Sequence, residues 1–516
     1  MNIRNEIIPG FENRFWKIFE KLRNTNDEYK SIVLGLIFLK YVSDIFEDQK
    51  SKIISELTND ADSENPITYH ANNVFWIPKN SRWTYLHAQV KQPNIGKLID
   101  EAMAEIEKNN QKLAGVFPKN YAHSGLDKKA LELLIDFISM IGFSDTGNRF
   151  KNNLSQAYDY LLSQFAAAER NKGGEFYTPH SISKLVVEMV APYKGRIFDP
   201  CCGSGGMLVQ CGEFIEEHGG NTESIRIYGQ ESNLNTWRLA FMNLAIRGIN
   251  TKLELKHGDS LRSDLHPDLG ADYILAHPPF NVSNWGRDEL KNDQRWKYGL
   301  PPAHNANFAW IQHFIYHLAP TGLAGFIMPS SSMSSNQSNE KDIRRNIIEA
   351  DLVDCIVTLP GQLLYSTQIP VCVWFIACDK KDDHFRNRQG EILFIDARMM
   401  GKMVDRVHRE LTDEDINQIA TAYHAWKGNL NSHPSMHLSH YIDLPGFCKT
   451  ASLEDIRHND FILTPGCYVD TAKTEEEETF EDKMKRLTAK LKEQQIESTQ
   501  FDEIIANNLQ SLGFGV

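Results

Sequence analysis

The sequence predicts an α/β fold in three parts: a helical N-terminal domain, a doubly wound seven-stranded Rossmann-like domain, and a helical C-terminal tail. Three observations predict it. Up to about residue 165, apolar residues recur at helical spacing. From Lys172-Gly173-Gly174 onward, short β-branched runs alternate with helical stretches, the pattern of a parallel sheet with crossover helices. After about residue 430 the composition shifts again, to an acidic run followed by a heptad stripe. These shifts set domain boundaries of 1–165, 166–430 and 431–516.

In the first part, Phe11, Phe15, Ile18, Phe19 and Leu22 make one apolar face, and Leu36, Leu39, Tyr41 and Ile45 another. Leu131, Leu134, Ile135, Ile138 and Ile141 make a third, with Gly142 as its stop. Residues 60–100, rich in Asn, Pro and Trp, read as irregular. In the second part the predicted strands are Arg196–Asp199, Ile225–Glu231, Leu253–His257, Tyr273–Ala276, Gly325–Met328, Val353–Thr358 and Val371–Ala377. Beyond them Phe394-Ile395-Asp396 reads as a short strand, and a helix runs from the cap Thr412 to about Ala422. In the tail, Thr474–Glu478 is acidic, and Phe480, Met484, Leu487 and Leu491 follow at 4-3-4 spacing. That stripe is either a helix docked on its own protein or one that binds a partner.

Composition narrows the function. The 516 residues carry 55 basic and 68 acidic side chains, a net charge of -13 that excludes a uniformly basic nucleic-acid coat but leaves room for a local basic groove. The 8 cysteines include no C-x-x-C pair, so they read as reduced thiols in a reducing compartment. The longest apolar run, Ile32–Leu39, is far short of the roughly 20 residues that span a bilayer. The N-terminus lacks a signal-peptide layout. The expectation is a cytoplasmic protein with no membrane contact and no metal.

The chemistry gathers at successive strand ends. Asp199-Pro200-Cys201-Cys202-Gly203-Ser204-Gly205-Gly206 leaves the first strand and enters a helix, and its glycines permit a tight turn and close approach to a ligand. The next strand ends on Glu231, where a carboxylate can accept both ribose hydroxyls of an adenosine cofactor. Asp259 follows the third strand, where an adenine amine needs an acceptor. Taken singly, each acid also reads as a helix cap. The fourth strand ends in His277-Pro278-Pro279-Phe280, a loop stiffened by two prolines that presents His277 and Phe280 at the carboxyl edge.

This series resembles the Asn/Asp-Pro-Pro-aromatic motif of amino-group methyltransferases. In detail the chain is similar to the modification (methyltransferase) subunit of type I restriction-modification systems, which methylate adenine N6 in DNA. The likeness rests on Gly174-Glu175-Phe176-Tyr177-Thr178-Pro179, the glycine loop, His-Pro-Pro-Phe with Asn281, Arg295–Gly299 and Asn305–Trp310. Phe38–Asp44 and Leu463–Val469 extend it over nearly the whole chain. The resemblance implies that Glu175, Phe176, Tyr177, Thr178, Pro179, His180, Asp199, Ser204, Gly205 and Gly206 hold the methionine part of S-adenosyl-L-methionine. It implies Glu231 on the ribose, Asp259 on the cofactor adenine, and Phe280 stacked on a target adenine flipped from double-stranded DNA. His277, Pro278, Pro279 and Phe280 are the implied catalytic loop. It also implies a separate specificity subunit, with two methyltransferase subunits for each, and an optional restriction subunit.

The sequence departs from the family where the reaction is decided: His277 stands where Asn or Asp is usual. A neutral imidazole accepts one hydrogen bond and a protonated one accepts none. The site therefore works with His277 as acceptor, works weakly, or belongs to a cofactor-binding scaffold; the first reading is preferred because every other part is present. A protein glutamine or an RNA amine is the other acceptor class such motifs serve. Two further features are weighed and set aside. Pro200-Cys201 is similar to the nucleophilic Pro-Cys of cytosine-C5 methyltransferases but lies in the wrong loop. His313 and His317 have zinc-like i, i+4 spacing, yet a partly buried helical pair is the plainer reading. The roughly 140 residues after Cys378 offer no clear base-reading module, which fits recognition delegated to another chain.

Overall fold

A computed structural model of the chain describes residues 22, 29–56, 64–72, 74–123, 125–140, 158, 160–165, 177–249, 253–337, 339–365, 367–382, 384–428, 441–469 and 480–511. The predicted face Phe11–Phe19 and the residues Ile141, Gly142, Glu175 and Phe176 lie outside these. The chain falls into two compact units, residues 1–469 and residues 470–516.

The first unit opens with helices α1 (Tyr29–Glu56), α2 (Pro66–Ala71), α3 (Trp83–Ala88), α4 (Ile95–Asn109) and α5 (Lys128–Met140). The predicted apolar faces are where they should be: Leu36, Leu39, Leu131, Leu134, Ile135 and Ile138 are buried. Residues 60–100, expected to be irregular, instead hold α2, α3 and the start of α4. Tertiary contacts stabilise these short helices. Tyr69 and Trp76 pack against Phe46 with ring centroids 4.6 and 5.3 Å away, and Asn65 caps α2 by accepting from the Ile67 amide.

Next come α6 (His180–Val190), β1 (Gly195–Asp199), α7 (Gly206–Glu217), β2 (Ile225–Glu231), α8 (Leu234–Ile246), β3 (Leu253–His257), β4 (Ala271–Ala276), α9 (Asn307–His317) and β5 (Leu318–Pro329). They are followed by α10 (Glu340–Glu349), β6 (Val353–Thr358), β7 (Val371–Ala377), β8 (Glu391–Asp396), the hairpin β9 (Lys402–Met403) and β10 (Arg409–Glu410), α11 (Asp413–Lys427), β11 (Cys448–Ser452) and α12 (Leu453–His458). The sheet has nine strands, in the order β11-β8-β6-β7-β5-β4-β1-β2-β3.

The expected seven-stranded parallel sheet is thus corrected in two respects. β8 adds in parallel to β6, and β11 adds antiparallel to β8. β11 reads Cys-Lys-Thr-Ala-Ser, with two buried and three more exposed positions, too weak an alternation to mark a strand. The sheet is also mixed, because β7 runs antiparallel to both β5 and β6. Among the described residues no helix separates β6 from β7, and a parallel return ordinarily needs such a crossover.

Alternation along each strand feeds two cores. On β1, Ile197 belongs to the same buried core as Leu185, Leu208 and Ile416 of α6, α7 and α11, while Phe198 belongs to the core that holds Phe308, Ile343 and Ile456 of α9, α10 and α12. A third core joins the N-terminal helices to α8 through Leu239, Met242 and Ile246, and the Tyr41 hydroxyl donates to the Ala245 carbonyl at 3.2 Å. Strand order reverses between β1 and β4, the crevice where open α/β sheets bind ligands. The second unit contains the long helix α13 (Phe480–Ser511), on which Met484, Leu487 and Leu491 are exposed.

Candidate active site

A cavity of about 540 Å³ opens at the carboxyl ends of β1 to β4. Glu231, Asp259, His277 and Pro279, four of the residues singled out from sequence, line it. So do Lys30 of α1, Asn233, Asn284 and Trp310. A larger cavity of about 1000 Å³ lies at the opposite edge, between the starts of β4 and β5 and α11; it holds none of the sequence-predicted residues.

Pro200, Cys201 and Gly203 of the glycine loop line the cavity, whereas Asp199, Ser204, Gly205, Gly206, Pro278 and Phe280 do not. Gly205 has φ +80°, so the turn itself calls for glycine; a Cβ there would stand in ordinary contact with Ala240 of α8, 3.4 Å away. Gly206 opens α7 with nothing within 4 Å of a would-be Cβ, leaving room for a ligand. Asn243 donates to the Ser204 carbonyl at 2.9 Å and holds the loop to α8. Asp199 is 2% exposed and accepts from the Cys201 amide at 3.0 Å. Burial raises its carboxyl pKa to about 7, against the lowering effect of the Cys201 bonds, and the Glu231 charge adds to the rise.

Glu231 ties strand to loop: its Oε2 accepts from the Gly203 amide at 3.0 Å and its Oε1 from the Asn233 amide at 2.8 Å. Asp259 Oδ1 accepts from the amides of Leu261 and Arg262 at 3.0 and 3.3 Å, capping its turn, while Oδ2 takes no hydrogen bond among the described residues. The cap reading and the ligand reading are therefore compatible, one oxygen serving each.

His277 leaves β4 with its Nδ1 2.9 Å from Thr178 Oγ1 and its ring centroid 5.2 Å from that of Phe280. Burial lowers its pKa to about 4, so it is neutral near pH 7. Thr178 thus meets the His277–Phe280 loop directly. The Tyr177 ring is tilted 48° against that of Tyr365 at 5.9 Å, Pro179 is buried and precedes α6, and His180 is turned toward Glu213, 3.9 Å away. Neither Tyr177, Pro179 nor His180 lines the cavity.

The motifs beyond the catalytic loop secure it. Asn281 and Asn307 exchange two hydrogen bonds of 2.9 Å, pinning the residue after Phe280 to the start of α9. Buried Arg295 donates to the carbonyls of Ser260 and Leu261, to Asp293, and to His313 Nδ1 at 3.0 Å. The Asp259 turn is thereby fastened to α9.

His313 and His317 are fully buried rather than partly so, and stand close to Asp264. A guanidinium can only donate, so Arg295 makes His313 Nδ1 an acceptor and assigns its proton to Nε2. His317 Nδ1 lies 2.9 Å from the His313 carbonyl, to which only a ring N–H can bond, and its Nε2 lies 2.9 Å from Asp264 Oδ2. This is the pattern of a histidine–carboxylate pair, and the protonated His313 Nε2 does not suit a metal.

Sequence reasoning missed Lys30, which reaches the cavity from a separate helical region with no local motif to mark it. It also missed Asn233, which follows Glu231 and caps α8 by accepting from the amides of Asn235 and Thr236. An Asn before an apolar run is a legible cap signal, though not a ligand signal.

The profile of the N-6 DNA methylase family matches residues 149–477 and that of the HsdM N-terminal domain matches residues 11–141. The chain belongs to the N-6 DNA methylase family. It is an adenine-N6 DNA methyltransferase of the type I restriction-modification class. This methylase is 45% identical to the type I restriction enzyme HindI methylase subunit of Haemophilus influenzae, over 85% of this chain and 100% of that one. It is 37% identical to the MjaIX methylase subunit of Methanocaldococcus jannaschii, over 99% and 92% of the two chains. Among solved structures, the type I restriction-modification methyltransferase subunit of Streptococcus thermophilus shares the fold, with a TM-score of 0.73 at 22% identity over 90% and 99% of the chains. Among the described residues, no helix is long and apolar enough to cross a membrane.

Proposed function

We propose that this methylase uses S-adenosyl-L-methionine to methylate N6 of an adenine flipped out of double-stranded DNA, with His277 as the hydrogen-bond acceptor on the reacting amine. The observation that carries the reading is the neutral His277 on a stiff Pro-Pro loop, sharing one cavity with Glu231 and Asp259.

The residues present suit that cofactor. Two carboxylates stand on the cavity rim, Asp259 keeps a free oxygen for an amine, and the space at Gly206 lets a ligand come close to the backbone. Glu231 would take the ribose hydroxyls, Asp259 the adenine amine, and Asp199 with Tyr177–Pro179 and Ser204–Gly206 the methionine end; Glu175, Phe176 and His180 belong to the same proposal. When bound, S-adenosyl-L-methionine supplies a methyl group activated on a sulfonium.

The chain's own work is to prepare the nucleophile. The N6 lone pair is delocalised into the adenine ring, so the amine is weak. An acceptor on one N6 hydrogen draws the nitrogen toward tetrahedral geometry and stabilises the positive charge that develops on attack. His277 can be that acceptor because burial keeps it neutral. Phe280 would stack on the flipped base, a contact worth roughly 1–3 kcal/mol, and flipping is needed because N6 is out of reach in the duplex. Pro278 and Pro279 fix the loop.

Base reading falls to a separate specificity subunit, two methylase chains per specificity chain, with a restriction subunit as an optional addition. The net charge of -13 fits that division of labour, and a cytoplasmic location follows from the DNA substrate. The domain assignment 1–165, 166–430 and 431–516 gives the tail the subunit contact, and the exposed stripe Met484, Leu487 and Leu491 is where it would lie.

The test is to express the chain with its neighbouring reading frames in a host lacking adenine methylation and to assay digested DNA for N6-methyladenine by mass spectrometry. The expected result is methylation that Phe280→Ala abolishes. No methylation from a formed, cofactor-binding complex would leave the scaffold reading in its place.

A further inference from the structure

Replacing Asn by His at the acceptor position creates a requirement that Asn does not have. A carboxamide oxygen is an acceptor however it is held, but a neutral imidazole has one N–H and one lone pair, and which nitrogen carries which depends on its neighbours. Here Nδ1 is engaged by Thr178 Oγ1 at 2.9 Å, while Nε2 takes no hydrogen bond from any described residue. If the threonine hydroxyl donated, Nε2 would bear the proton and point an N–H at the incoming amine. If Nδ1–H donates to Thr178, Nε2 presents its lone pair, as the reaction needs.

Both partners are built to hold this contact. Thr178 precedes Pro179 and His277 precedes Pro278, and a residue before proline is confined to extended backbone. Thr178 is anchored by α6 and His277 by β4, two elements packed in one core through Leu185 and Leu275. The Phe280 ring centroid lies 5.2 Å from that of the imidazole, the two planes tilted by 56°.

We infer that Thr178 is a positioning residue that accepts the His277 Nδ1–H, fixing the imidazole tautomer in which Nε2 accepts a hydrogen from the adenine N6 amine. This rests on the proposed role of His277. Thr178 then acts through His277, and its importance depends on the histidine being there.

The experiment has two arms. The first is a double-mutant cycle in the co-expressed complex. Thr178→Val is expected to lower kcat roughly 10–100-fold, the scale on which groups that orient a functional histidine act. Thr178→Ser should restore the rate; because Thr178 also belongs to the proposed methionine-end contacts, cofactor affinity is measured by calorimetry for every variant and kcat is compared at saturating cofactor. In a His277→Asn background, Thr178→Val should cost only a small part of that loss. Equal losses in both backgrounds, or a loss confined to cofactor affinity, would overturn the inference and leave the methyltransferase reading intact.

The second arm reads the tautomer without turnover. The full chain labelled with ¹⁵N-histidine, its His277 signal identified by its absence in His277→Asn, should show a protonated Nδ1 and an unprotonated Nε2. A protonated Nε2 refutes the tautomer whatever the kinetics. A wild-type complex with no transfer would refute the underlying function instead.

Discussion

At the scale of single residues, two buried titratable groups stand at the candidate site, and both lead to measurable pH effects. Burial lowers the His277 pKa to about 4, so a group that is ordinarily half charged near pH 6.5 stays an acceptor well below neutrality. Protonation is the losing direction, since imidazolium accepts nothing. The ratio of wild-type to His277→Asn rates should therefore stay flat from about pH 8 to about pH 6. A ratio that falls through that range would place the His277 pKa near its ordinary value. Asp199 is displaced the other way, to about 7, first by burial. A raised carboxyl pKa stabilises the fold only below its unfolded value and works against it as pH climbs to the folded value, by about 1.4 kcal/mol per unit of displacement. Asp199→Asn keeps an acceptor for the Cys201 amide and removes that burden. The variant should melt higher than wild type at pH 7, lose the gain near pH 4, and bind S-adenosyl-L-methionine less well. Calorimetric melts and titrations at the two pH values check all three.

Between residue and fold, the elements owe their positions to a few polar fasteners. Arg295 is the clearest. It lies in a loop far from β3 in sequence, yet its guanidinium spans the Ser260 and Leu261 carbonyls, Asp293 and His313. Removing it strands the Ser260 and Leu261 carbonyls and His313 Nδ1, which no other donor among the described residues reaches. Arg295→Met should cost roughly 1–3 kcal/mol of stability, the scale for leaving a buried acceptor unpaired, and should weaken cofactor binding by loosening the Asp259 turn. Arg295→Lys should rescue little, since an ammonium cannot reproduce the planar fork. Urea midpoints of the three proteins decide it. At this scale the sequence was partly legible. The motif Arg295–Gly299 stood out, but its purpose did not, because its partners are carbonyls and a histidine on α9. The strands β1 to β4 were legible from short β-branched runs, whereas β11 was not, its five residues having no clear apolar alternation.

For the whole molecule, the division at 469/470 separates the unit that holds the cavity from the one that carries α13. Met484, Leu487 and Leu491 lie 47%, 45% and 55% exposed on that helix, a heptad stripe still open to solvent. A chain ending at Val469 should keep its fold and its affinity for S-adenosyl-L-methionine, but fail to form the complex with a specificity subunit. Size-exclusion chromatography with light scattering tests it. Full assembly without the helix would move the subunit contact elsewhere.

The sequence by itself determined the fold class, the order of the loops at the carboxyl ends of the strands and the anomaly at His277. These are local properties: a strand is read from its own alternation, a glycine loop from its own spacing, and a substituted acceptor from one position beside Pro-Pro-Phe. Only the tertiary structure decided the rest. Thr178 is 99 positions from His277 and bonds to it, Lys30 reaches a cavity formed almost wholly by residues after 200, and β7 turns antiparallel within a sheet expected to be parallel. Such pairings depend on which surfaces of separately folded segments bury one another. The free energy that selects them comes from distant groups meeting, and no short stretch of chain records it.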